Sequence, residues 1–389
     1  MATPQQLAAF NYSVPGALAW NPVRSTSFTA VAGNAYPVNT TSAAITVTLP
    51  ASPSAGNIVQ LTDYAGTWAT NNVTVAPNGA KITGSTSNSV LAVAGSSLAL
   101  VYIDATQGWL PYSAFKTLTS GQPYTASYLA VAGGGGGGFP AGGGGGAGGL
   151  LTSTASLTVG TVYTITVGAG GNGGLVATST LPTNGSNSVI SSTGLTVTAV
   201  GGGYGGSGGI STGVGASGGS GGGAGNNGGS ASGAAGTSGQ GFAGGNNIGA
   251  SPYPTGGGGG ASAVGANAAG SASGAGGAGT ASSITGTSVT YAGGGGGAGT
   301  AQGAIAGAGG AGGGGAGGGA GTAGTVNTGG GGGGASNAGA FNGGNGGSGI
   351  VILSVATAFY SGVTTGSPTV TTSNGNTIIK FTASGSYTA

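Results

Sequence analysis

Leu129-Ala-Val-Ala-Gly-Gly-Gly-Gly-Gly-Gly138 decides how this chain is read, because a short apolar segment runs directly into six consecutive glycines. The same junction recurs. Leu195-Thr-Val-Thr-Ala-Val200 leads into Gly201-Gly-Gly-Tyr-Gly-Gly206, and Ile284-Thr-Gly-Thr-Ser-Val-Thr-Tyr-Ala292 leads into Gly293–Gly297. Thr161-Val-Tyr-Thr-Ile-Thr-Val167 alternates as a strand does, and Ile350-Val-Ile-Leu-Ser-Val355 closes the block. Glycine fills 101 of the 389 positions, and 88 of those lie between 133 and 349.

Three physical states suit such a composition. Collagen needs glycine at every third position and abundant proline; the uninterrupted runs and only 14 prolines exclude it. A flexible linker has no use for strand-like segments abutting its glycine runs. The remaining state is a packed lattice of extended left-handed helices with three residues per turn, whose N–H and C=O groups point outward and pair between neighbours. Glycine loses the most conformational freedom on ordering and buries no side chain. Main-chain hydrogen bonds must therefore hold the block, at about 1 kcal/mol net each. The balance is close, and ordered flanks or trimerisation are expected to tip it.

Around this block the chain divides into a short lead (1–27), a β domain (28–113), a linker (114–121), the glycine-rich domain (122–355) and a C-terminal β tail (356–389). In the lead, Thr3 can cap a short helix opened by Pro4, with Leu7 and Phe10 on one face; an anchor and an arm packed on its own domain are both open. Within 28–113, Ala44-Ile-Thr-Val-Thr-Leu49 alternates apolar and polar, and turn clusters such as Ser52-Pro-Ser-Ala-Gly56 and Pro77-Asn-Gly79 recur. Short strands at that spacing predict a small sandwich or jelly roll. The fold class is thus all-β plus glycine-rich: a β-sandwich or jelly-roll-like domain, then layered polyglycine II helices bounded by short strands.

The charge inventory excludes several function classes. Six side chains are charged (Arg24, Lys81, Lys116, Lys380, Asp63 and Asp104), and there is no Cys, His or Glu. No disulfide framework or Cys/His metal site can be built. A Ser/His/Asp or Cys/His nucleophile lacks its base. A net charge of +2 does not recruit nucleic acid. Two carboxylates 41 positions apart do not argue for a glycosidase pair, and they are expected to bond turns and strand ends. Repeated G-x-G-x-x-G patterns follow from composition, with no acidic partner downstream. The start carries no leader-like pattern, and Ile350–Leu353 is far short of a membrane span. The expectation is synthesis in the cytoplasm without membrane insertion, no enzyme activity, no cofactor and no metal.

Two resemblances add to this reading. Tyr36-Pro-Val-Asn-Thr-Thr41, Ile45-Thr-Val-Thr-Leu-Pro-Ala-Ser-Pro-Ser-Ala-Gly56, Thr70-Asn-Asn-Val-Thr-Val75 and Tyr102-Ile-Asp-Ala-Thr-Gln-Gly-Trp109 resemble a small β domain of phage tail fibres and virion decoration proteins. That family is typically trimeric, so the resemblance implies a homotrimer. Leu129-Ala-Val-Ala-Gly-Gly-Gly135, Gly142–Leu151, Leu157–Gly171, Asn327–Gly334 and Gly346-Gly-Ser-Gly-Ile-Val-Ile-Leu353 are similar to the glycine-rich domain of phage tail fibres and adhesins. It implies tip loops that bind host surface receptors. Thr371–Tyr387 departs from that pattern and looks like a strand pair that completes the sheet from the other end.

The implied function is a phage tail fibre or adhesin on the virion surface, joined to other virion proteins through its N-terminal region. A capsid decoration protein, in cement or head-fibre form, is the alternative, and a passive spacer filament a further one. Neutral sites that hold carbohydrate combine an aromatic face with hydrogen-bonding groups. Tyr163 and Tyr291 sit in or beside strands and are expected in the core. The candidates are Tyr204, Phe242, Asn246, Asn247 and Tyr253. Ser251-Pro-Tyr-Pro254 cannot supply lattice donors at its prolines, so this stretch should bulge out as a loop. A host surface receptor, glycan among the possibilities, is the expected partner.

Overall fold

Alternation of β-branched and polar residues gives the first strands their two faces. In the computed structural model, which describes residues 18–116, 123–209 and 212–389, the chain forms two units, Met1–Gln122 and Pro123–Ala389. The first contains β1 (Ala19–Trp20), β2 (Phe28–Thr29), β3 (Asn34–Val38), β4 (Ile45–Thr48), β5 (Ile58–Asp63), β6 (Val73–Ala76), β7 (Ser89–Leu91), β8 (Ser96–Asp104) and β9 (Gly108–Lys116). They build two sheets, ordered β1-β3-β5-β8-β9 and β2-β4-β6-β7. Tyr36, Val38, Val59, Leu61 and Leu100 from one meet Ile45, Val47, Val73 and Val75 from the other in a single core with Trp68 and Trp109.

This is a sandwich, but its winding is not that of an antiparallel jelly roll. From β1 to β6 the chain passes alternately from sheet to sheet, so β1, β3 and β5 run parallel, as do β2, β4 and β6. Period-2 patterning specifies which side faces the core and is silent on strand direction. Part of the expected lead also belongs here: Ala19 and Trp20 pair with Asn34 and Ala35, and Arg24 bridges to Val38. The helix expected at Thr3–Phe10 lies outside the described residues. Of the expected linker, 114–116 continue β9 and the rest lies outside the described residues. Both aspartates bond turns, as their positions suggested. Asp63 accepts from the N–H groups of Thr67, Trp68 and Gly95, and Asp104 from those of Thr106 and Gln107.

The second unit contains β10 (Pro123–Val131), β11 (Leu150–Thr158), β12 (Val162–Thr166), β13 (Ser188–Ser192), β14 (Leu195–Ala199), β15 (Thr280–Ser282), β16 (Val289–Tyr291), β17 (Ile350–Ala356), β18 (Thr364–Thr365), β19 (Thr369–Ser373), β20 (Asn376–Phe381) and β21 (Gly385–Thr388). Two five-stranded sheets, β11-β10-β17-β20-β19 and β14-β13-β12-β21-β18, enclose a core that includes Tyr124, Leu157, Tyr163, Ile190, Leu353, Phe381 and Tyr387. β20 pairs with β17 and β21 with β12, so the C-terminal segment is built into both sheets. Tyr163 is buried and its hydroxyl accepts from Thr158 N–H; Tyr291 is buried in a second cluster.

Beyond the strands, hydrogen bonding repeats every third residue. Gly133 and Gly136 donate to Ser186 and Thr183, Gly134 and Gly137 to Gly347 and Gly344, and Gly135 and Gly138 to Gly146 and Gly143, all at 2.9–3.0 Å. Their carbonyls accept with the same period. Gly133 and Gly136 accept from Gly202 and Gly205, Gly134 and Gly137 from Gly171 and Gly174, and Gly135 and Gly138 from Gly332 and Ala335. Three directions of donation and three of acceptance make six neighbours around one axis, the signature of polyglycine II helices with three residues per turn. At these positions the packing admits no side chain: a Cβ on Gly135 would lie 2.2 Å from Gly203 O, and one on Gly137 2.0 Å from Gly333 O.

Candidate functional site

Each glycine helix ends in a chain reversal, and the reversals far from the sheets gather together. β10 continues as Ala132–Gly138, reverses through Phe139-Pro140-Ala141, and returns as Gly142–Gly149 into β11. Ala132, Gly135 and Gly138 then donate to Gly149, Gly146 and Gly143 across that hairpin. Further reversals tie on to this one: Gly208 N–H donates to Pro140 O and Asn226 N–H to Ala141 O. Asn226 Nδ2 donates to Ile248 O, Thr300 Oγ1 to Pro252 O, and Ala301 N–H to Asn337 Oδ1.

Between them lies a cleft of about 260 Å³, lined by Pro140, Ala141, Gly208, Gly209, Asn226, Asn227, Gly228, Tyr253, Gln302 and Asn337. Tyr253 is its aromatic wall and its only ionisable side chain. It holds a left-handed backbone, φ +62°, and its N–H donates to Ala250 O at 2.8 Å. That conformation is uncommon for a bulky residue and is fixed here by the turn. Asn227 Oδ1 accepts from Gly209 N–H, and Asn337 Nδ2 donates to Gln302 Oε1 at 3.3 Å. A neutral cleft with amides, carbonyls and one ring suits a neutral hydrogen-bonding ligand.

The residues singled out by sequence do not converge. Tyr253 alone of them lines the cleft. Phe242 is exposed at the sheet-proximal end, where its N–H donates to Gly260 O. Six residues of extended helix separate it from Ile248, about 19 Å at about 3.1 Å each. Tyr204 stands on the flank of the lattice, its N–H donating to Asn184 Oδ1. Asn246 accepts from Gly233 N–H through Oδ1. Asn247 is buried: Oδ1 accepts from Ala231 N–H, and Nδ2 donates to Gly225 O and Gly229 O. Both asparagines give side-chain acceptors to main-chain N–H groups of neighbouring segments.

Asn227, Gln302 and Asn337 escaped the sequence reading. They are scattered over 110 positions, and only the interruption of glycine runs by amides marks them.

Residues 112–356 match a family model described as a glycine-rich domain. The chain belongs to that family. No curated protein matches it. The glycine-rich domain as matched stops at Ala356, whereas its sheets continue through β20 and β21. The tip cleft lies wholly within the matched residues.

Proposed function

We propose that this protein is a non-enzymatic phage virion fibre or adhesin whose glycine-rich domain presents the cleft around Tyr253 to a receptor on the host cell surface. The observation that carries the reading is the convergence of separate turns, at one end of a hydrogen-bonded lattice, on a neutral cleft with one aromatic wall. Loops on a stiff framework are where recognition residues concentrate, and a cleft already formed loses little entropy on binding. The motif order of the glycine-rich block supports membership of a virion. The protein acts as a homotrimer held to other virion proteins through its N-terminal region, with attachment at the tail, and its receptor is a neutral group such as a glycan.

Adsorption of particles carrying Tyr253→Ala tests the reading. The variant lowers host binding at least tenfold, and Phe242→Ala, at the other end of the lattice, leaves it unchanged. Unaltered adsorption by Tyr253→Ala overturns the recognition site. Copies of the protein at inter-capsomer positions in a reconstruction of the particle would refute attachment to the tail.

A further inference from the structure

A second neutral groove lies at the opposite end of the same unit, on the sheet face beneath the β15–β16 hairpin. Along this face Leu129, Val131, Ile350, Ile352 and Ile378 form an apolar floor packed against Tyr291 and Ile284 of the hairpin segment. One step further from the glycines the floor changes to hydroxyls. Register places Ser127 opposite Ser354 and Thr154, with Ser354 opposite Ile378, so three hydroxyls line up across adjacent strands. Adjacent strands lie about 4.8 Å apart, so the row is spaced on the scale of a pyranose ring.

The hairpin forms a wall over this row. Other reversals at this end are tight, as at 238–240 and 311–313, but here the chain extends through β15 and β16. Gly286, at φ +88°, brings the hairpin turn against β19: a Cβ there would lie 2.3 Å from Ser373 Oγ. The open groove measures about 580 Å³, within the range of small-molecule sites. No ionisable side chain lines it. Among the described residues, the hydroxyls of Ser127, Thr152, Thr154 and Ser354 make no hydrogen bond within the protein, and each can donate and accept.

We propose that this groove binds a neutral oligosaccharide of two or three units. Serine and threonine side chains, with Asn374 and Asn376, engage its hydroxyls, and the half-buried Ile284 meets the apolar face of a ring. The inference stands independently of the tip cleft.

Saturation-transfer NMR on the full chain, with maltotriose, cellotriose and triacetylchitotriose as probes, tests it. At least one probe receives saturation from the wild-type protein. Its affinity falls tenfold or more in Ser127→Ala/Ser354→Ala, whose truncations at an exposed and a half-buried position leave the fold intact by amide spectra. It is retained in Tyr253→Ala. Three results each overturn the proposal: no transfer to any probe, as when another copy covers the face; undiminished affinity in the double variant; or a signal lost in Tyr253→Ala and kept in the double variant, which would assign the sugar to the tip.

Discussion

A single methyl group separates the interior of the lattice from its boundary. Gly145 sits among six neighbouring segments, and a Cβ there would lie 2.2 Å from Gly135 O. Backbone atoms cannot rotate aside as a flexible side chain does, so Gly145→Ala must spread the lattice. The expected loss is about 3 kcal/mol, the upper end for overpacking, read as a fall in the thermal midpoint. Gly229, in a turn, has no atom within 4 Å of such a Cβ and no left-handed backbone. Gly229→Ala is therefore neutral or stabilises by up to about 1 kcal/mol, through the unfolded chain. Where the lattice ends, side chains return: Ile305, Val264 and Val326 are exposed on its flanks. Asparagines there act as surrogate backbone, with Asn187 Oδ1 accepting from Gly201 N–H and Asn345 Oδ1 from Gly173 N–H. A glycine run in the sequence marks the interior. An asparagine beside it does not reveal whether its amide serves the lattice or a ligand, which is why Asn246 and Asn247 drew attention as binding residues.

At the scale of elements, each glycine helix is the continuation of a strand or of another glycine helix. The strands fix where the helices start, and the sheets are completed by the C-terminal segment. Removing residues 357–389 takes away β20 and β21, strips Ile379, Phe381 and Tyr387 from one core and Ile378 from the other, and bares the edge of β17. Each large apolar side chain stabilises by about 1.5–3 kcal/mol when buried. The truncated chain is expected to aggregate or lose cooperative unfolding, checked by calorimetry and light scattering. The strand-like segments were legible because period-2 patterning reports a face. The parallel winding of β1 to β6 was not, since direction depends on which sheet the next strand joins.

For the whole molecule, few charges mean little response to pH and salt. No side chain has its ordinary pKa between about 5 and 9, and surface charge pairs are too scarce for screening to matter. The tyrosines set the alkaline limit. Burial, then the hydrogen bond with Tyr387, pushes the Tyr124 hydroxyl far above its ordinary value; burial raises Tyr291, and burial with the nearby Tyr387 raises Tyr360. These groups stay neutral in the fold and ionise more readily in the unfolded chain. Their contribution is complete below about pH 10 and is lost as pH rises above it. Thermal midpoints should be level from about pH 5 to 9, nearly independent of salt, and should fall above about pH 10. A midpoint that shifts strongly within the neutral range would contradict a structure held by main-chain pairing.

The sequence by itself determined the all-β class, the unusual middle block and the three-residue helix that fills it. Those follow from local rules: alternation sets a strand's faces, and a residue without a side chain is the one that fits where backbones touch. Tertiary structure alone decided which of the glycine helices are neighbours, which turns meet, and hence that Tyr253 shares a cleft with Asn227, Gln302 and Asn337. Glycine runs are interchangeable as sequence, so nothing local says which should lie beside which. That order is imposed by the strands at their ends, whose side chains fit in one arrangement.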